Sequence, residues 1–214
     1  MCAKIAKEDF GRKTNNLSQE VQMSVIVAIK ENGVIYMGAD SQTTKGPRKG
    51  HHLNETGYKI AKIDNGILVG FCGRVATTQT IKAIKDLFTL DADGKLTKKH
   101  IVTQIIPKLT NKMQLIGDEE TGEIDVSMLL AHQDQLYKIS SQLDLFHINQ
   151  AVSIGAGSDF TTYALFGMES MPVRNRILSA LEESTNWVES VDGPFVLIDT
   201  KNLQHEIVSK GGSH

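Results

Sequence analysis

The 214-residue sequence is poor in the residues that staple or punctuate a chain. It has two cysteines (Cys2 and Cys72), four prolines, one tryptophan and 6% aromatic residues. Two cysteines allow at most one disulfide. Their unlike surroundings point instead to reduced thiols in a cytoplasmic protein, which excludes a disulfide-built secreted scaffold. An excess of one charge is also missing: 23 Lys and Arg stand against 25 Asp and Glu, a formal net charge of −2 with both signs interspersed. No basic stripe is present to bind nucleic acid or an anionic membrane. The longest uncharged apolar runs, Ser24–Ile29 and Gly66–Gly73, fall far short of the roughly 20 residues that a membrane helix needs. The first 22 residues carry basic groups but neither an apolar block nor a small-residue cleavage site, so they do not read as a secretory signal. What remains is one globular domain, 40% hydrophobic. A domain of this size buries roughly 70% of its unfolded surface without disulfides or metal.

Residues 1–22 are polar and aperiodic and read as an N-terminal extension; 23–210 form the domain and 211–214 a flexible tail. Order begins with two β-branched runs, Ser24–Ile29 and Val34–Ala39, joined by Glu31-Asn32-Gly33, a hairpin turn sequence. Lys45–Gly57 reads as a polar loop. A second hairpin pairs Tyr58–Ile63 with Ile67–Cys72 through Asp64-Asn65-Gly66, and its second strand is apolar enough to be buried on both faces. From Ala76 the period changes, with Ile81, Ile84, Leu87 and Phe88 on one helical face. Ile101, Ile105, Leu109 and Met113 mark a second, in which Pro107 demands a kink or a late start. Strands follow at Asp125–His132, Gln135–Ser140 and Ala151–Gly155, then helices at Ser158–Met168 and Pro172–Trp187, then strands at Phe195–Thr200 and His205–Val208. Runs of strands alternating with runs of helices predict an α+β sandwich and not an alternating parallel sheet.

Two strings are specific: SVIVAIKENGVIYMGADSQTTKG with YKIAKIDNGILVGFCGRVA, and AVSIGAGSDFTTYALFGM. Together they resemble the proteasome β-type subunits and the bacterial proteasome-like peptidase, over about residues 23–208. The resemblance implies a four-layer αββα sandwich of two antiparallel sheets, the N-terminal-nucleophile hydrolase fold. It also implies a role for each matching residue: Ser24 as nucleophile, Asp40 and Lys59 beside it, and the Gly73 N–H as oxyanion hole. Thr44 would pair with the substrate backbone. Phe71 and Val75 would line a pocket favouring apolar residues before the cut. The residue types suit such chemistry. A serine hydroxyl needs a base, and an N-terminal α-amine, with a reference pKa of about 7.7–8.0, can serve. A lysine ammonium lowers that amine and steadies the alkoxide, while an aspartate holds the lysine.

The match has gaps. Serine replaces the family threonine at position 24, and the Asp40–Lys59 loop is longer than usual. Ala156 stands where the family has a supporting serine, and Glu189 and Asp192 occupy positions of a further Asp-x-x-Ser-Gly string. No catalytic role is assigned to those three. Ser24 is also preceded by Met23, not by the glycine that marks family self-cleavage. Gln19–Met23 can be encoded by codons that place a bacterial ribosome-binding site just upstream of an ATG. Residues 1–22 are therefore expected to be a leader read in frame, with translation starting at Met23 and methionine removal exposing Ser24.

The implied function is a proteasome-like peptidase acting on peptides or unfolded proteins, in a homo-oligomeric ring or spiral served by an ATPase unfoldase. Two alternatives stand beside it: a catalytically silent scaffold subunit, since such subunits also carry an aspartate and a lysine here, and an amidase for a small molecule. Cys2 is a minor rival nucleophile, because its neighbours do not open a strand. No cofactor or metal is implied. His51 and His52 lack a matching ligand cluster, and Gly155-Ala156-Gly157 lacks the lysine and Ser/Thr of a phosphate loop. Cys72 reads as a small core residue and Trp187 as a core or interface anchor.

Overall fold

A computed structural model describes residues 24–45, 48–51, 58–112, 117–118 and 123–211. Cys2, Met23, His52 and Met113, the leader expected at 1–22 and most of the tail expected at 211–214 lie outside them. Strands β1 (Val25–Glu31) and β2 (Val34–Asp40) form the predicted hairpin, and Asn32 and Gly33 both take the positive φ that such a turn requires. Next come β3 (Gln42–Lys45), β4 (Arg48–His51), β5 (Ile60–Lys62), β6 (Leu68–Gly73) and helix α1 (Val75–Ala83). Helix α2 (Lys98–His100), a π-helical turn (Ile101–Ile105) and α3 (Ile106–Thr110) run on continuously. Short strands β7 (Gly117–Asp118) and β8 (Glu123–Ile124) precede β9 (Val126–His132), β10 (Gln135–Ile139), β11 (Leu145–His147) and β12 (Ala151–Gly155). Helices α4 (Ser158–Phe166) and α5 (Val173–Trp187) and strands β13 (Phe195–Asp199) and β14 (Glu206–Val208) complete the chain.

The strands make two five-stranded antiparallel sheets, ordered β12-β1-β2-β13-β14 and β11-β10-β9-β6-β5. Side chains alternate across a strand, and three separate apolar clusters follow from that alternation. On β1, Ile26 and Ala28 point into the space between the sheets, where they meet Leu68, Cys72, Leu129 and Ala131. Val25, Val27 and Ile29 point the other way, onto Ile177, Leu178 and Leu181 of α5. On β6 the pattern repeats. Leu68 and Cys72 face the first sheet, while Val69 and Phe71 pack beneath α1 and the 98–110 helix with Ile81, Ile101, Ile105 and Leu109. Three cores between four layers make the αββα sandwich. They also explain why β1, β6 and β9 are mostly apolar, with Lys30 and Glu31 only at the end of β1: both faces of each strand are covered.

Several boundaries differ from the sequence reading. The stretch expected to be loop from Lys45 begins with a hairpin, β3 on β4, with Gln42 opposite His51; its polar side chains hid the pairing. Strand β11 was not anticipated. Helix α1 ends at Ala83, and Leu87 and Phe88 are buried from the turn after it, where Asp86 has φ +52°. Pro107 neither delays nor breaks its helix. The chain widens to a π-turn, in which the Ile106 N–H reaches the Ile101 carbonyl, so the missing proline N–H and its ring are accommodated. Trp187 is 64% exposed and stacks on Phe160.

Candidate active site

The two hairpins β1–β2 and β5–β6 are antiparallel. The start of β1, the end of β2, the start of β5 and the end of β6 are therefore brought together at one end of the sandwich. Ser24, immediately before β1, is 6% exposed. Asp40 is the last residue of β2, Lys59 lies one residue before β5, and Gly73 ends β6.

Asp40 is the hub. Both its carboxylate oxygens accept from Lys59 Nζ at 2.8 Å, and Oδ1 also accepts the Val25 N–H at 2.9 Å. The carboxylate is fully buried and the lysine side chain only 10% exposed. Burial pushes the Asp40 carboxyl up from its ordinary value; the Lys59 ammonium and the N–H groups of Val25 and Gln42 oppose that shift. One buried acid thus ties the cation to the backbone that carries Ser24.

Two glycines are required by close approach. Gly155, at φ +100°, lies opposite Val25 on β12, and a β-carbon there would fall 2.1 Å from the Ser24 carbonyl oxygen and 2.8 Å from Cys72 Sγ. Gly73, at φ +147°, would put a β-carbon 1.9 Å from the Asp125 carbonyl oxygen. Cys72 itself is fully buried. Its Sγ donates to the Ile154 carbonyl at 3.4 Å, and burial pushes its thiol far above the ordinary range. It is a core thiol beside the site and not a nucleophile in it.

The other residues singled out from sequence lie on β3, β4, β6, α1 and the turns after β12 and α5. Thr44 lies on β3 opposite Lys49. Phe71 is buried, edge-on to Phe88 with ring centroids 6.1 Å apart, whereas Val75, first residue of α1, is 50% exposed. Ala156 sits in the turn between β12 and α4. The carboxylates of Glu189 and Asp192 pair with Lys49 and Lys210, at 3.3 and 3.1 Å. His51 lies within 3.2 Å of Ser41 Oγ through Nδ1. Sequence reasoning missed Gly155 as the residue under Ser24. It also missed Lys82, whose ammonium lies over the Phe71 ring; seven residues after Val75, two helical turns along α1, its spacing was the available signal.

Among the described residues, no three His, Cys, Asp or Glu side chains gather as a metal site, and no helix is long and apolar enough to cross a membrane. The model of the proteasome subunit family matches residues 22–166. The chain is 28% identical over 163 residues to the ATP-dependent protease subunit HslV of Borreliella burgdorferi, covering 74% of this chain and 82% of the relative. It is 26% identical over 165 residues to HslV of Aquifex aeolicus, covering 76% and 85%. Among solved structures it superposes on Anbu from Yersinia bercovieri with a TM-score of 0.69 at 15% identity, covering 88% of each chain. On Thiobacillus denitrificans BPH the TM-score is 0.66 at 13% identity, covering 84% of this chain and 98% of the other. A family match over more than half the chain, with the same fold in the solved structures, places this protein in the proteasome subunit family.

Proposed function

We propose that this chain is a peptidase that opens peptide bonds with Ser24 Oγ, once the residues before Ser24 have been removed. The observation that carries the reading is the buried Asp40 carboxylate, which grips Lys59 Nζ through both oxygens and the Val25 N–H through one. Such a grip holds an ammonium beside the first residue of β1.

In the proposed reaction the Ser24 hydroxyl passes its proton to the freed α-amine as Oγ bonds to the scissile carbonyl carbon. Lys59 keeps that amine poised as a base and lowers the cost of the alkoxide, and Asp40 fixes Lys59. The Gly73 N–H meets the oxyanion; a donor of this kind is typically worth about 3–4 kcal/mol of barrier. Collapse breaks the C–N bond, and the leaving amine takes the proton back. Water then hydrolyses the Ser24 ester by the same relay. Thr44, in the β3–β4 hairpin, presents backbone to an extended substrate, and Phe71 and Val75 wall the pocket beside it. The substrates are peptides or unfolded proteins, and the place of action is the cytoplasm. The description of the relatives as ATP-dependent protease subunits supports a homo-oligomeric ring or spiral working with an ATPase unfoldase.

The test is the intact mass and N-terminal sequence of protein purified from its native host, followed by peptide hydrolysis with Ser24→Ala. The expected chain begins at Ser24, and the variant loses at least about a thousandfold in kcat. A chain that retains the preceding residues while hydrolysis is indifferent to Ser24→Ala overturns the reading.

A further inference from the structure

We infer that Lys82 gives the site a preference for an acidic residue on the N-terminal side of the cleaved bond. Its ammonium would meet that side chain at the inner end of a stripe along α1, where Lys82 Nζ reaches the Tyr58 carbonyl. The inference rests on the peptidase reading above and adds a substrate class to it.

Val75, Gln79 and Lys82 are spaced i, i+4 and i+7 and share one side of α1. Val75 and Gln79 are exposed and Lys82 is half-buried, so the stripe leads from solvent inward. At its inner end Lys82 Nζ donates to the Tyr58 carbonyl at 2.9 Å and stands 5.3 Å from the centroid of the Phe71 ring. Tyr58 is bonded directly to Lys59, and the Phe71 N–H donates to the Lys59 carbonyl at 2.8 Å. The cation is therefore bracketed by the two neighbours of the Lys59 backbone, one residue away from the Asp40–Lys59 pair.

The carbonyl and the ring face attract a cation but do not neutralise it. Among the described residues no carboxylate forms an ion pair with Lys82. Burial draws its pKa below the ordinary lysine value with nothing opposing the shift, as for an ammonium less well solvated than in water. An ammonium has three N–H donors, and Tyr58 takes one. A lysine serving only the end of α1 would turn to the last carbonyls of its own helix. Lys82 instead reaches a carbonyl 24 residues away in sequence.

A glutamate or aspartate side chain entering past Val75 and Gln79 would supply a counter-charge, which no described residue gives, through a charge-assisted hydrogen bond in a shielded site. An arginine there would meet like charge. A leucine would have to pack against an ammonium, so Lys82 revises the apolar pocket that Phe71 and Val75 alone describe.

The test uses the full chain in its native assembly and three fluorogenic peptides that differ only in having Glu, Leu or Arg before the cleaved bond. The expected wild-type kcat/KM is at least about tenfold higher for Glu than for Leu, with Arg poorest. Lys82→Arg keeps that order, and Lys82→Met reverses the Glu–Leu preference with an unchanged melting temperature. Equal preference in wild type, or an order untouched by Lys82→Met, overturns the inference and leaves the peptidase reading standing. Binding of a labelled, non-hydrolysable peptide ending in Glu or Leu is measured in parallel. If no peptide is cleaved yet the Glu peptide binds at least about tenfold tighter and loses this with Lys82→Met, the peptidase reading falls and the acidic pocket stands. Neither cleavage nor selective binding overturns both.

Discussion

The backbone of Gly155 lies directly beneath Ser24: a β-carbon at 155 would stand 2.1 Å from the Ser24 carbonyl oxygen. Position 155 combines this collision with a positive φ of 100°, whereas a β-carbon at Gly33, at φ +76°, would meet nothing within 4 Å among the described residues beyond its chain neighbours. The two positions separate backbone strain from steric conflict. Gly33→Ala is expected to cost about 1 kcal/mol, the left-handed penalty alone. Gly155→Ala is expected to cost about 3 kcal/mol or more, because β1 and β12 must part. Urea unfolding of both variants measures the difference. Equal costs would mean that the Ser24–Gly155 approach relaxes freely.

The Asp40–Lys59 pair gives a second prediction. Asp40→Leu leaves Lys59, with its side chain 10% exposed, as a nearly buried cation without its partner, and strips the Val25 N–H of its acceptor. Losses of about 3–5 kcal/mol are typical for breaking such a pair. The double variant Asp40→Asn with Lys59→Met keeps an acceptor for Val25 and removes the orphaned charge. It is expected to recover most of the stability, measured by denaturant midpoint, while peptide hydrolysis stays abolished. Recovery of hydrolysis together with stability would show the pair to be scaffold alone.

How far these features could be read from sequence depends on how local their cause is. The β1–β2 turn was legible because Asn32-Gly33 is a local signal, and β12 because Ala151–Gly155 is a compact, mostly apolar run closed by a glycine. The β3–β4 hairpin was not, since neither strand has an apolar face. Ile84, Leu87 and Phe88 kept helical spacing beyond the end of α1, because burial, not helicity, selected them. Asp40 and Lys59 stood out through their strings. The Gly155–Ser24 approach and the Lys82–Tyr58 bond join residues far apart in sequence; helical spacing from Val75 marks the side of α1 on which Lys82 lies but not the carbonyl it reaches.

His132, on β9, supplies a pH prediction. It is 8% exposed, and burial draws its pKa below the ordinary 6.5. The unfolded chain then binds more protons than the folded one between the folded value and about 6.5, so stability rises with pH across that window. Melting at pH 7.5 and at 5.0 should show a loss on acidification, smaller in His132→Gln. If the loss is as large in the variant, other groups cause it.

Arg176 and Glu31 share an ion pair, but their surroundings are unlike. The arginine side chain is 10% exposed and its buried Nε has no hydrogen-bond partner among the described residues, whereas the glutamate side chain is 38% exposed. Removing the two partners should therefore not cost the same. Glu31→Ala strands a guanidinium that already has one unmet donor, and is expected to cost about 2–4 kcal/mol. Arg176→Met returns Glu31 to water, keeps apolar atoms between α5 and β1 and removes the unmet donor, so its cost should stay within about 1 kcal/mol. Urea midpoints of the two variants rank them. The reverse order would mean that the guanidinium stem, and not the charge balance, holds α5 against β1.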